Sequence, residues 1–214
     1  MNILVISASP NRDGLTSACV KAAITGLRAG GAQADEVRLN DLKVGMCHAC
    51  DNGWGTCRQQ SVCQVEDDFQ ALYDQLLACN GLILASPIFF YAVSSHTKIL
   101  MDRCQSLWVK KYWIEKATLG RSLPKRKGIF ISVGATKGKR LFDGALLSIR
   151  YFFDPLDMEL WKALLYRGLD LEGDVLKHPE FLEEAYEAGK CLCEAISMHA
   201  FEQEVSGNKE SEGR

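Results

Sequence analysis

The chain has 214 residues, of which 47% are hydrophobic, and this length and composition suit one domain with a substantial buried core. Its formal net charge of -2 gives no general electrostatic attraction to nucleic acid or to an anionic membrane, so we expect neither partner. The start lacks the pattern of a signal peptide, and no apolar run approaches the roughly 20 residues of a membrane span. We therefore expect a cytoplasmic protein without a membrane span.

Apolar residues alternate along the chain between short continuous runs, typical of strands, and segments with helical spacing. The predicted strands are 2–7, 34–39, 81–85, 128–133 and 158–165. The predicted helices are 16–27, 69–77, one from Ser94 or Ser95 to about Leu107, 141–153, and one from Pro179 to about Phe201. The remaining segment, 202–214, is polar and charged, and we predict that it is disordered.

This alternation predicts an α/β fold in which helices cover both faces of a parallel sheet. Five strands favour a flavodoxin-like, doubly wound sheet of order 2-1-3-4-5 within three α/β/α layers. We expect a single domain over residues 1–201, with a cysteine-rich insertion at 45–64 after the second strand. Ligands of such folds bind outside the carboxyl ends of the strands, so the loops after strands one, three and four should form one site.

The loop after the first strand, residues 7–17, is rich in hydroxyl groups and runs into the start of a helix. Free backbone amides and the positive end of the helix dipole favour an anion there. Ser9, Thr16 and Ser17 can donate hydrogen bonds to that anion, and Gly14 permits its close approach. The loop therefore predicts a phosphate site, with the alternative that Thr16 or Ser17 is only the N-cap of the helix.

An aromatic segment, residues 88–91, follows the third strand at the same edge of the predicted sheet. Its rings can pack on a flat ligand, or they can simply cover the end of the sheet. After the fourth strand, residues 134–138 form a glycine-containing turn whose amides could bond a heterocycle and whose Lys137 could meet its charge.

These loops together resemble those of NAD(P)H-dependent FMN reductases and related flavodoxin-like proteins. The run 86–103 carries Ser-Pro, a hydrophobic residue and an aromatic pair, then Lys98 and Asp102-Arg103, and the loop 7–17 matches the phosphate loop of these proteins. The resemblance implies that FMN binds with its phosphate at the first loop and its isoalloxazine against the other two. The implied cofactor residues are Ser9, Arg12, Gly14, Leu15, Thr16, Ser17, Ser86, Pro87, Ile88, Phe89, Phe90, Tyr91, Gly134, Ala135 and Lys137.

Two features of this motif leave alternatives open. Phe89 stands where many relatives have tyrosine, so a hydroxyl contact to the flavin is not expected from it. Lys98 and Arg103 can instead be structural residues that bond carboxylates or helix ends, as ion-pair networks commonly do.

Four cysteines, Cys47, Cys50, Cys57 and Cys63, lie within seventeen residues of one another. Such crowding differs from core packing, where cysteine occurs singly, and in a reducing compartment it indicates metal ligands or redox-active thiols rather than disulfides. The iron-sulfur flavoproteins, a branch of the same superfamily, resemble this chain in carrying a compact cysteine motif after the second strand. The resemblance implies a [4Fe-4S] cluster on these four residues.

The spacing of the cysteines departs from the usual C-x2-C-x2-C pattern of that branch. Here the gaps are x2, x6 and x5, so residues 52–56 look like an insertion and Cys57 is the least secure ligand. Structural zinc is one alternative, and thiols without any metal are another. We expect the other five cysteines to serve core packing: Cys19, Cys79, Cys104, Cys191 and Cys193.

The predicted function is that of an FMN-dependent oxidoreductase or electron-transfer flavoprotein. No catalytic side chain is expected, because the flavin performs the chemistry. The expected electron donor is NAD(P)H or a ferredoxin, the expected partner is a ferredoxin or a small-molecule acceptor, and the resemblance implies a homodimer or homotetramer. The alternatives are a metal-free NAD(P)H-dependent FMN or quinone reductase and a non-enzymatic electron carrier or redox sensor.

Overall fold

A computed structural model of the chain describes residues 1–50, 55–117, 126–170, 174 and 177–211, with side chains described as far as residue 198. Most of the predicted insertion at 52–56, and the last three residues of the predicted disordered tail, therefore lie outside the described residues. The strands are β1 (Asn2–Ser7), β2 (Gln33–Arg38), β3 (Gly81–Phe89), β4 (Ala92–Val93), β5 (Arg126–Gly134) and β6 (Met158–Arg167).

The described helices lie between these strands and after the last of them. They are α1 (Leu15–Ala29), α2 (Cys57–Gln60), α3 (Phe69–Ala78), α4 (Ser95–Arg103), α5 (Gln105–Val109), α6 (Asp143–Phe153) and α7 (Pro179–Ser211). Short 3-10 helices lie at Leu39–Asp41 and Asp154–Leu156, and a π-helical turn lies at Lys110–Ile114. None of the described helices combines the length and apolar character needed to cross a lipid bilayer.

The sheet has the order β2-β1-β3-β5-β6, and each neighbouring pair in this order is parallel. The parallel, doubly wound architecture is confirmed. The prediction of five strands in the order 2-1-3-4-5 is wrong in detail, because a sixth strand, β4, pairs antiparallel with the end of β3. A two-residue strand is too short to give a periodic signal in the sequence.

Two helix boundaries also differ from the prediction. The helix expected from about Ser94 to Leu107 divides into α4 and α5 at Cys104, where the backbone leaves helical geometry. Helix α7 continues to Ser211 rather than ending near Phe201. The polar composition of the segment 202–214 gave no apolar stripe from which its helix could be predicted.

The core lies on both faces of the sheet, since successive residues of a strand point to opposite sides. In β1, Ile3 and Val5 belong to the cluster packed beneath α1 and α7, whereas Leu4 and Ile6 belong to the cluster beneath α3 to α6. All four side chains are buried. The continuous apolar run of this strand is therefore explained by burial on two faces.

Helices α1 and α7 pack with their backbones in close contact at two glycines. A Cβ atom on Gly26 would lie 1.9 Å from the carbonyl oxygen of Tyr186, and one on Gly189 would lie 2.2 Å from that of Ala23. No side chain fits at either position without moving the helices apart.

Candidate functional site

A cavity of about 230 Å³ lies at the carboxyl edge of the sheet, where the loops after β1, β3, β5 and β6 meet. Nine of the predicted cofactor residues line it: Ser9, Gly14, Leu15, Thr16, Pro87, Ile88, Phe89, Gly134 and Ala135. The lining residues that the sequence reasoning missed are Pro10, Asn11, Val133, Leu169 and Asp170. Leu169 and Asp170 follow β6, and they could have been found because every parallel strand ends at this edge.

The six other predicted residues do not line this cavity: Arg12, Ser17, Ser86, Phe90, Tyr91 and Lys137. Ser86 is fully buried, and its hydroxyl oxygen accepts a hydrogen bond from the Ser94 amide at 2.9 Å. Lys137 lies against Gly168, where an added Cβ would come within 2.8 Å of the Lys137 side chain. The Ser86 hydroxyl therefore fixes the β3–β4 loop, and the Lys137 side chain packs on the turn after β6.

The loop after β1 is organised around the backbone of Asn11. The hydroxyl groups of Ser9 and Ser17 donate to the Asn11 carbonyl oxygen at 3.2 and 2.7 Å. A Cβ on Gly14 would lie 3.1 Å from the Asn11 side chain, so glycine lets this side chain pack against the loop. Two of the hydroxyls expected to bind phosphate thus hold the shape of the loop instead.

The start of α1 offers backbone amides to the cavity. Gly14 is the N-cap and makes no side-chain cap hydrogen bond, so the alternative that Thr16 or Ser17 is the N-cap is wrong. The amide of Ala18 donates to the Gly14 oxygen at 3.0 Å, whereas among the described residues the amides of 15 to 17 have no acceptor. These amides, the helix dipole and the buried Thr16 hydroxyl together suit an anionic group.

Arg12 is turned away from the cavity towards the segment that follows β2. Its guanidinium lies 2.6 Å from the Asp41 carboxylate, in an exposed ion pair. Arg38 reaches the same loop from β2 and donates to the Ser9 carbonyl oxygen at 3.2 Å. Both arginines therefore tie the β1 loop to the neighbouring strand.

The aromatic segment forms a tight hairpin between β3 and β4. Phe89 pairs with Ala92 across the hairpin, and the two residues between them, Phe90 and Tyr91, have φ angles of 49° and 62°. This left-handed conformation is uncommon for aromatic residues. Phe90 is fully exposed, so of the three aromatic side chains only Phe89 lines the cavity.

The four clustered cysteines line a second cavity, of about 320 Å³, together with Ala49, Val65, Asp102 and Gln105 among others. Burial raises the pKa of the Cys57 thiol, and the neighbouring Cys63, Cys47 and Cys50 raise it further. Cys57 is therefore close enough to the other three thiols to interact with them electrostatically. The structure brings together in one cavity all four cysteines that the sequence predicts as ligands.

Among the described residues, no group of three or more His, Cys, Asp or Glu side chains is placed so that it could hold a metal ion. All nine cysteines are free thiols, and Cys19, Cys79, Cys104 and Cys193 are buried as core residues.

The cysteine segment, residues 43–68, is closed at its base by two carboxylates. The amide of Lys43 donates to Asp68 at 2.7 Å, and the amide of Gly45 donates to Asp67 at 2.8 Å. Burial raises the pKa of the Asp67 carboxyl, but hydrogen bonds from Arg103, Gly45 and Phe69 outweigh this effect and leave the pKa below its usual range. Asp67 is thus held as an anion at the base of the segment.

The basic residues of the sequence motif 86–103 contact carboxylates rather than the cavity at the sheet edge. Lys98 pairs with Asp102 at 2.5 Å on the exposed side of α4. Arg103 is buried and pairs with Asp67 at 2.6 Å. The structural interpretation of both residues therefore agrees with these contacts.

Known proteins with similar sequences include iron-sulfur flavoproteins and an FMN-dependent oxidoreductase. An iron-sulfur flavoprotein of Methanocaldococcus jannaschii and one of Methanosarcina thermophila are each 28% identical to the chain over 137 residues. The match spans 64% of this chain in both cases, and 64% and 65% of the two relatives, so it covers less than two thirds of their length. An FMN-dependent NADH:quinone oxidoreductase of Alcanivorax borkumensis is 26% identical over 183 residues, which cover 82% of this chain and 92% of that protein.

Solved structures with similar folds include a flavone reductase and an FMN-dependent NADH-azoreductase from Bacillus anthracis. The flavone reductase has a TM-score of 0.67 at 20% identity, covering 92% of this chain and 63% of that one. The azoreductase has a TM-score of 0.62 at 17% identity, covering 92% and 99%. These structural matches establish the fold alone. The sequence model of the NADPH-dependent FMN reductases matches residues 1–146, and the chain therefore belongs to this family.

Proposed function

We propose that the chain is an FMN-dependent oxidoreductase whose carboxyl-edge cavity holds FMN and whose cysteine segment holds a [4Fe-4S] cluster. The observation that supports FMN binding is the set of groups that line the cavity. It has amides at the start of a helix for which the described part of the chain offers no acceptor, and it has apolar residues from the ends of β3 and β5.

The amides of residues 15 to 17 and the Thr16 hydroxyl would hold the FMN phosphate. The positive end of the α1 dipole favours its negative charge there, and α1 has no acidic residue in its first turn to oppose it. Pro87, Ile88 and Phe89 would pack against the isoalloxazine and keep water from it, while the 134–135 backbone would meet its polar edge. Bound FMN supplies hydride and single-electron transfer, so the chain needs to bind and orient reactants only.

The cluster half of the proposal is supported by the donor set and by the relatives. Four thiols share one cavity, and four cysteine thiolates are the donor set of a [4Fe-4S] cluster. Two relatives that match 64% of the chain are named iron-sulfur flavoproteins. NAD(P)H or ferredoxin as donor, a homodimeric or homotetrameric assembly, and the cytoplasmic location stay predictions.

The test is anaerobic reconstitution with FMN, iron and sulfide, followed by analysis of flavin, iron, acid-labile sulfide and zinc. We expect one FMN and about four iron atoms per chain. Absence of bound flavin would overturn the proposed function, and flavin without iron or sulfide would overturn its cluster half.

Replacement of Cys57 by serine tests the ligand set. We expect Cys57→Ser to lose most of its iron and keep its FMN, because a cubane needs a thiolate at each iron. The control is Cys191→Ser, which removes a half-buried thiol on α7 and should keep both cofactors. Equal iron in the two variants would show that Cys57 is not a ligand.

A metal-free NAD(P)H-dependent reductase is the second candidate. It is favoured by the finding that no group of His, Cys, Asp or Glu side chains among the described residues could hold a metal ion. It predicts flavin without iron and NAD(P)H oxidation that is equal in the unmodified protein and Cys57→Ser. Bound flavin with negligible NAD(P)H oxidation would instead favour an electron carrier.

A further inference from the structure

The side chain of Arg103 is fully buried against the cysteine segment. Its Nη1 donates to the Gly45 carbonyl oxygen at 2.9 Å, and its Nη2 donates to that of Val65 at 2.8 Å. The same two nitrogens reach the Asp67 carboxylate at 2.6 and 3.0 Å. One guanidinium on α4 therefore holds both ends of the segment that carries the four cysteines.

The remaining donor of Arg103 points at a sulfur. Its Nε lies 3.2 Å from the Sγ of Cys63, and the guanidinium lies 4.5 Å from the ring of Phe69, which covers its flat face. A guanidinium has five N–H donors in a rigid fork. Backbone oxygens and one carboxylate occupy the Nη donors, so the single Nε–H is directed at Cys63.

Arg126 is a structural arginine that can be compared with Arg103. Arg126 donates to the carbonyl oxygens of Leu76, Cys79 and Leu156 at 3.0, 2.6 and 2.6 Å, at the opposite, amino end of the sheet. It also lies 3.7 Å from the Sγ of Cys79, a core cysteine, and it does not line the cysteine cavity. Arg103 makes the same kind of backbone contact but also places a positive charge beside a predicted metal ligand.

We propose that Arg103 is a positioning residue for the metal centre, which fixes the cysteine segment through Gly45, Val65 and Asp67 and stabilises negative charge on the Cys63 sulfur through Nε–H. This inference rests on the proposed cluster. Hydrogen bonds to cysteine sulfur raise the reduction potential of a cluster, because they stabilise its more negative reduced form. The bound metal should therefore depend on Arg103 for both retention and potential.

The test uses Arg103→Lys in the full chain, reconstituted anaerobically with FMN, iron and sulfide. Lysine keeps the positive charge but has no Nε–H to direct at Cys63 and no fork to reach both ends of the segment. We expect the cluster potential, measured by EPR-monitored titration, to shift to more negative values. We also expect iron release to a chelator to be about 10- to 100-fold easier, with FMN content unchanged.

The matched control is Arg126→Lys, which makes the same substitution at a structural arginine. It should leave the cluster potential and the iron release unchanged even where it lowers stability. If Arg103→Lys behaves like this control in iron-loaded protein, the inference is overturned while the proposed function stands. If the unmodified protein holds no iron under the same conditions, the proposed cluster is overturned and the inference with it.

A second variant covers the case in which Arg103→Lys fails to fold. Asp67→Asn keeps the shape and removes the charge that holds Arg103. We expect it to bind FMN and to release iron more readily than the unmodified protein. Iron release equal to that of the unmodified protein would overturn the positioning role.

Discussion

Replacement of Thr16 by aspartate should weaken FMN binding about a thousandfold while the chain stays folded. Thr16 is buried at the wall of the carboxyl-edge cavity, in the first turn of α1. A carboxylate there would face the FMN phosphate, and two unit charges about 4 Å apart repel by about 4 kcal/mol near a protein surface. The same carboxylate would interact favourably with the helix dipole, by roughly 0.3–1 kcal/mol, so the apoprotein should stay folded.

The measurement is a fluorescence titration of the apoprotein with FMN and, separately, with riboflavin, which has no phosphate. Thr16→Asp should lose FMN affinity far more than riboflavin affinity. The control is Thr25→Asp, which places the same charge on the exposed side of α1, where the Thr25 hydroxyl donates to the Lys21 oxygen. Equal losses for the two ligands would contradict a phosphate site at the start of α1.

Replacement of Gly26 by alanine should lower the free energy of unfolding by about 2 kcal/mol, a result opposite to the usual effect in helices. Alanine normally stabilises a helix interior by roughly 1 kcal/mol relative to glycine. Here the added methyl group would lie 1.9 Å from the Tyr186 carbonyl oxygen, and backbone cannot move aside as a flexible side chain can. Moving α1 away from α7 should cost about 1–3 kcal/mol, which outweighs the gain in helix propensity.

Urea unfolding followed by circular dichroism measures this change, and the melting temperature should fall by about 4–8 °C. Thr25→Ala is the control, because the neighbouring position is exposed and alanine there should change stability by less than about 0.5 kcal/mol. A gain in stability for Gly26→Ala would mean that the two helices do not pack as closely as the structure has them.

The parallel strands could be predicted from the sequence because burial on two faces leaves continuous apolar runs. The runs at 2–7 and 158–165 correspond closely to β1 and β6. The strand β3 extends four residues beyond its predicted end at Ala85, since its last part pairs with β4. That pairing depends on a hairpin turn at Phe90 and Tyr91, where neither residue is one that turn statistics favour.

The candidate site could be predicted in part, because loops at one edge of a parallel sheet converge whatever their length. Sequence could not show which side chains turn inwards. Ser17 and Arg12 have the right chemistry for a phosphate, yet they bond to Asn11 and Asp41. Sequence also could not show that Arg103 is buried, because its partners Gly45 and Asp67 are distant in sequence and meet it only after folding.

The closed base of the cysteine segment has a consequence for how this fold can vary. The carboxylates of Asp67 and Asp68 join the two ends of the segment, and no described strand lies between them. A change in length inside such a closed loop alters chiefly its closure entropy, by about 0.6 kcal/mol for each doubling of length. The long spacing from Cys50 to Cys57 therefore costs the sheet little, and thiol spacing can diverge while the flavodoxin-like body stays the same.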